Sequence, residues 1–170
     1  MNPGERTAGI VIGQVTAVKD PDQLGRIQVT YPWLTGSETR WVSVASPMAG
    51  NDRGFFCMPK INDEVILGFH MGMWDHPIVI GFMWNPVQKP PSPDERMCMW
   101  RSYNKHTIRL VDSTPTNGDL GGIFIEDGHG NAIVMTNTNI TIKSRGALNI
   151  EAVGVITIDG RPVKKVGPEI

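Results

Sequence analysis

The sequence predicts an all-β chain built in two parts, and three features carry that prediction. Val, Ile and Thr alternate with polar residues at period two along most of the 170 residues, and turn residues interrupt every run before a helical stripe of 11 or more positions develops. Four prolines among residues 86–93 then break the alternation. Beyond them a pair of aliphatics recurs every eight residues, a rhythm the first part lacks.

Five strands are expected in the first part, over residues 10–19, 25–31, 40–45, 64–70 and 77–83. Asp20-Pro21-Asp22-Gln23 separates the first two, because proline fixes φ and the Asp side chains bond nearby backbone. A second turn-rich stretch, Pro47 through Gly54, follows the third strand. Five short strands suit a closed barrel of the oligonucleotide/oligosaccharide-binding (OB) type, which leaves no sheet edge open; a two-sheet sandwich is the alternative.

Residues 86–96 form a proline-rich linker, extended and semi-rigid, which divides the chain into a tail at 1–9, a barrel at 10–85, a second region at 97–160 and a terminal segment at 161–170. In the second region, residues 106–110 read as a strand. Residues 123–135 read as strand, turn and strand, with Gly128 and Gly130 at the reversal. The repeat follows: Ile140, Leu148 and Ile156 lie eight apart, as do Ile142, Ile150 and Ile158, with Gly146, Gly154 and Gly160 between the units. Each unit puts two aliphatics on one strand face and polar residues on the other.

An eight-residue unit cannot enclose a core, since it leaves an apolar face bare and both edges open. Three chains winding about one axis give every strand a partner and turn three apolar faces inward. The expected arrangement is a trimeric, intertwined, triple-stranded β-helix or β-prism. Its core is expected from Ile123, Ile125, Ile133, Met135, Ile140, Ile142, Leu148, Ile150, Ile156 and Ile158. A monomeric β-solenoid is the alternative.

Composition argues against most other function classes. With 16 Lys+Arg against 17 Asp+Glu, the formal charge of −1 offers no basic excess for a nucleic-acid backbone. Two cysteines exclude a disulfide-dense scaffold, and no leader or spanning segment is visible, which fits assembly in the producing cytoplasm. His70, His76, His106 and His129 stand 6, 30 and 23 residues apart and complete no compact metal motif with Cys57 or Cys98. Asp20, Asp22, Asp63 and Glu64 read as solvated turn residues, Ser43 and Ser46 lack a nucleophile elbow, and Gly50 to Gly54 lacks the Lys-Ser/Thr pair of a phosphate loop. No catalytic, cofactor-binding or metal-binding residues are expected.

Aromatic side chains concentrate in the barrel, where they can pack its interior, contact other subunits or stack bases. Few cations are interleaved with them, which argues against stacking on a single-stranded nucleic acid, the runner-up role for an OB barrel. Trp33, Trp41, Phe55 and Trp74 are the candidate contact residues. Lys164-Lys165 is too short for a polybasic lipid anchor; Val163, Lys164, Lys165 and Val166 are candidates for contact with a tip partner.

Several stretches together resemble the central spikes of contractile injection machines, phage baseplate assembly protein V and the valine-glycine-repeat spikes of type VI secretion. They are Gly13-Gln14-Val15, residues 20–33 from Asp20-Pro21-Asp22-Gln23-Leu24-Gly25-Arg26 to Trp33, Trp41 to Gly54, Pro59 to Phe69, and Asp75-His76-Pro77-Ile78-Val79-Ile80-Gly81. The resemblance continues through Lys105 to Arg109, the Asp127-Gly128-His129-Gly130-Asn131 turn and the aliphatic repeats. It implies an OB collar on a trimeric β-helical needle, mounted centrally in the baseplate of a phage tail or phage-tail-like particle and driven outward through a target membrane on contraction. It implies no enzymatic activity.

Two departures refine that expectation. No hub domain precedes the collar, so a separate hub protein is the implied partner. The histidines of the family's metal-bearing pointed tip are missing from residues 161–170, so a blunt end that receives a PAAR-like tip protein is implied, with effector cargo as a further partner.

Overall fold

The computed structural model describes residues 9–34, 36, 40–114 and 121–163. The chain divides into two units, Met1–Pro90 and Pro91–Ile170. Both are all-β, and the only helical element among the described residues is a 3-10 turn at His70–Gly72.

The first unit holds β1 (Val11–Ala17), β2 (Gln28–Thr30), β3 (Ser43–Val44), β4 (Ala49–Gly50), β5 (Arg53–Gly54), β6 (Glu64–Phe69) and β7 (Pro77–Met83). Five of them form one sheet in the order β2-β1-β6-β7-β3, with β3 parallel to β7 and the remaining pairs antiparallel. The sheet closes on itself through Ile27 and Val42, whose amides and carbonyls exchange hydrogen bonds of 3.0 and 2.8 Å. That closure makes a barrel of OB connectivity and sets the sandwich alternative aside. Val15, Ile27, Val29, Tyr31, Val42, Val65, Leu67 and Val79 fill its interior, as inward positions of period-two strands. Gly13 lies close against this packing: a Cβ there would lie 2.9 Å from Leu67 Cδ1 and 3.3 Å from the Thr30 carbonyl oxygen.

Two expected strands are shorter than the alternation implied. Residues 25–31 contribute only Gln28–Thr30 and the Ile27 bridge, because the amides of Asp22, Leu24 and Arg26 donate to the Asp20 carboxylate and fold the preceding residues into a turn. Residues 40–45 contribute Ser43–Val44 and the Val42 end of that bridge.

The second unit is an antiparallel meander of β8 (Met97–Arg101), β9 (Thr107–Val111), β10 (Gly122–Glu126), β11 (Ala132–Met135) and β12 (Ile140–Lys143), each strand paired with its sequence neighbours. A two-stranded hairpin, β13 (Thr157–Ile158) and β14 (Arg161–Pro162), follows. The three repeat copies are therefore not equivalent within one chain. The first is β12, paired with β11. The second, residues 147–151, carries no strand and lies exposed. The third pairs with Arg161–Pro162, inside the segment expected to be a separate tip. An x-I-x-I-x segment becomes a strand only against a partner edge, and residues 147–151 have none among the described residues.

Candidate functional site

Register decides which side chains of the meander share a face. Trp100, Ile108, Ile125, Ile133 and Ile142 are directly paired from β8 to β12. Cys98, Leu110, Ile123, Met135 and Ile140 form a second such line. The two rungs lie on the same face, because their members alternate with the same opposite-face residues along each strand. At about 4.8 Å per strand they cover a strip about 20 Å wide. Within one chain all of this strip but the half-buried Met135 is exposed to solvent: Trp100 is 67% exposed, Ile140 74% and Ile123 39%.

The opposite face is mixed, with half-buried Met99, Phe124 and Val134 in register with Arg109. Arg109 pairs with Glu126 at 3.0 Å, and its guanidinium carbon lies 4.2 Å from the centroid of the Phe124 ring. Arg101 Nε donates to the hydroxyl of Thr107, the buried polar residue of this unit. The apolar side chains of that face are half-buried within the chain, so the face left bare to water is the aliphatic one of the two rungs.

Six expected core residues, Ile123, Ile125, Ile133, Met135, Ile140 and Ile142, thus stand on one face. Leu148, Ile150, Ile156 and Ile158 lie beyond the meander; Leu148, Ile150 and Ile158 are exposed and Ile156 is half-buried. Trp100, Ile108, Leu110 and Cys98 belong to the same face, although they were not among the expected core residues. The alternation Ile108-Arg109-Leu110 was the available signal, whereas Met97-Cys98-Met99-Trp100-Arg101 has no β-branched residue to announce a strand.

Turns at one end of the meander are tied together. Asp127 accepts from the amides of His129 and Asn131 at 2.9 and 2.8 Å and from Asn131 Nδ2 at 2.6 Å. These bonds, the Asn131 side chain first, hold its carboxyl down at about 2. The Gly128 amide donates to His106 Nδ1 at 3.2 Å, and a Cβ at Gly128 would collide with the Asn104 carbonyl oxygen. His106 and His129 approach to 6.0 Å between ring centroids, but no three His, Cys, Asp or Glu residues converge as metal ligands among the described residues.

On the barrel, Trp33 and Trp74 come together. Trp74 stacks on Phe69 at 4.9 Å and meets Tyr31 at 4.8 Å, while Trp33 closes the cluster at 5.8 Å from Tyr31 and 5.7 Å from Trp74. Trp74 packs against the core and Trp33 is 54% exposed, so Trp33 is the outward ring of the group. Burial pushes the Tyr31 phenol up to about 12. Trp41 is half-buried just before the Val42 bridge, and Phe55 follows β5. Of the candidate tip residues, Val163 is exposed and its amide donates to the Ile156 carbonyl at 2.7 Å; Lys164, Lys165 and Val166 lie outside the described residues.

Residues 11–84 match a family model described as the type VI secretion system/phage-baseplate injector OB domain. The chain is 35% identical over 106 residues to type VI secretion system spike protein VgrG2a of Pseudomonas aeruginosa, covering 55% of this chain and 13% of that protein. It is equally similar to VgrG2b of the same organism, with 55% and 10% covered. Actin cross-linking toxin VgrG1 of Vibrio cholerae is 36% identical over 75 residues, 41% of this chain and 7% of that protein. The chain thus spans a small fraction of the length of these curated relatives.

Proposed function

We propose, from the match of residues 11–84 to the injector OB domain and the similarity to VgrG spike proteins, that the chain is the trimeric central spike of a phage-tail or type VI-like baseplate. The barrel serves as the collar, held by a separate hub protein. The second unit and the repeats form the needle that transmits axial force to a target membrane. Its end receives a PAAR-like tip protein, with effector cargo carried on the same assembly. The part is mechanical, and the chain is assembled in the producing cell before contraction drives it outward.

The exposed two-rung face of the meander carries this reading. Three copies that turn these faces toward one axis bury thirty mostly aliphatic side chains, ten from each chain. Residues 147–151, without an edge among the described residues, then find one on another copy. Bending or unthreading such a shaft breaks many inter-chain hydrogen bonds together, which suits it to compressive load.

Absolute mass in solution tests the proposal. The expected value is three times the 18.7 kDa chain mass, and Ile150→Asp, which sets three carboxylates around one apolar layer, is expected to destabilise the needle selectively. A stable 18.7 kDa particle whose repeat region is protected from hydrogen exchange overturns it. Co-purification with a neighbouring hub or PAAR-like protein tests the two partners.

A further inference from the structure

Because neighbouring strands of the meander are antiparallel, β8, β10 and β12 run the same way and the chain leaves all three at one end of the sheet. Residues 102–106 return to β9 there, residues 127–131 return to β11, and residues 144–147 begin the path into the repeats. Backbone bonds close the first two turns individually: the Ser102 amide donates to the His106 carbonyl at 2.8 Å and the Asp127 amide to the Asn131 carbonyl at 3.1 Å. Between the turns the links are made by side chains. His106 Nδ1 accepts from the Gly128 amide at 3.2 Å, and Asn131 Oδ1 accepts from the Arg145 amide at 2.8 Å. One line of contacts thus runs from His106 through the second turn to Arg145, where the chain departs for the repeats.

The first of these contacts requires one protonation state. An imidazole nitrogen accepts only while it carries no proton, so Nδ1 is bare and the ring hydrogen sits on Nε2. A second proton can go only to Nδ1, where it turns the acceptor into a donor facing the Gly128 N–H. The turns have no slack to absorb that, because Gly128 already packs so closely on the 102–106 turn that a Cβ would stand 2.3 Å from the Asn104 carbonyl oxygen. Neighbouring charges oppose the cation as well. Lys105 precedes His106, the His129 ring faces it from the second turn at 6.0 Å between centroids, and in the third segment Lys143 ends β12 while Arg145 Cδ lies 3.5 Å from where a Gly130 Cβ would be. Both carboxylates of the facing element are committed elsewhere: Glu126 to Arg109 at 3.0 Å, and Asp127 to the amides of His129 and Asn131 and to Asn131 Nδ2.

We propose that His106 is an acid-sensitive latch on the end of the meander. Neutral, it holds the 102–106 and 127–131 turns together; protonated, it lets the second turn go and with it the Asn131 anchor of Arg145, loosening the chain where it enters the repeats. The latch is closed at neutral pH and opens as pH falls through the histidine range, roughly 7 to 5. Opening linked to uptake of one proton rises about tenfold per pH unit across that range. The ladders from β8 to β12 are backbone bonds in which no imidazole takes part, so the sheet stays paired while its end opens. Every group involved belongs to one chain, and the latch works whatever the number of copies.

Amide exchange and imidazole nitrogen shifts of the full chain, read by NMR at about pH 7.5 and about pH 5.5, test the latch, with each exchange rate taken relative to an unstructured amide at the same pH. At the higher pH, His106 is expected to show a bare Nδ1. Protection of the Gly128 and Arg145 amides is expected to fall at least about tenfold at the lower pH, while the bonded amides of β10 and β11 keep theirs. His106→Asn retains an acceptor that takes up no proton in this range and is expected to hold Gly128 protected at both pH values. His106→Phe has no acceptor and is expected to leave it unprotected at both, and His129→Gln is expected to keep the fall. A ring hydrogen on Nδ1 at the higher pH overturns the proposal, as does equal protection at the two pH values. A fall that persists in His106→Asn, or one abolished by His129→Gln, also overturns it, since the titrating group then lies elsewhere.

Discussion

Asp20 shows how one side chain can replace a stretch of ladder. Its carboxylate takes three amides and a forked guanidinium, which ends β1 and delays β2 to Gln28. The Arg26 guanidinium beside it holds the carboxyl well below the usual carboxylate range. A carboxyl depressed in the fold contributes stability that is complete above its unfolded value, near 3.9, and is lost as pH falls through the folded value. Arg26→Ala is expected to lower the barrel's thermal midpoint by several degrees and to flatten its stability profile below pH 4, measured by denaturant midpoints at stepped pH. Tyr31 works in the opposite direction. Its phenol is raised to about 12 by burial, so its contribution is complete below about pH 10 and declines as pH rises toward 12. Tyr31→Phe is expected to reduce that alkaline slope, and an unchanged slope would place its origin elsewhere. The Asp20-Pro21-Asp22 turn was legible in sequence as a turn; the fork between Asp20 and Arg26, six residues apart, was not, because side-chain pairing across a loop leaves no periodic trace.

At the scale of elements, alternation of Val, Ile and Thr located β1, β6 and β7 closely, and a repeat of two aliphatics located β12. Two failures have one cause each. The Met-Cys-Met-Trp-Arg strand β8 lacks β-branched residues, and its place is set by pairing with β9. Residues 147–151 have the alternation and no strand, because pattern chooses a face but cannot supply an edge. The same asymmetry makes the meander testable strand by strand. Ile125→Asp puts a carboxylate in the middle of the Trp100–Ile142 rung, between Ile108 and Ile133. Burying it against two copies of itself costs several kcal/mol, so the trimer is expected to dissociate at micromolar concentration while the barrel's own transition stays in place. Thr141→Asp, one residue from Ile140 and Ile142 but on the other face, is expected to leave the mass unchanged. Equal effects of the two substitutions in analytical ultracentrifugation would mean that the faces do not differ in burial.

For the whole molecule, the break between units falls at Pro90 and Pro91, and the two rungs lie wholly in the second unit. If the rungs hold the copies together, removing different parts of the chain has different consequences. A chain ending at Lys143 keeps every rung residue, and is expected to remain trimeric with a lower unfolding temperature, because the repeats add strands to a shaft the meander has already closed. A chain ending at Pro90 keeps the barrel core but loses the rungs, and is expected to be folded and monomeric at micromolar concentration. Light scattering on the two truncations separates these roles: a trimeric barrel would transfer the work of assembly from the rungs to the barrel, and a monomeric 1–143 chain would transfer it to the repeats.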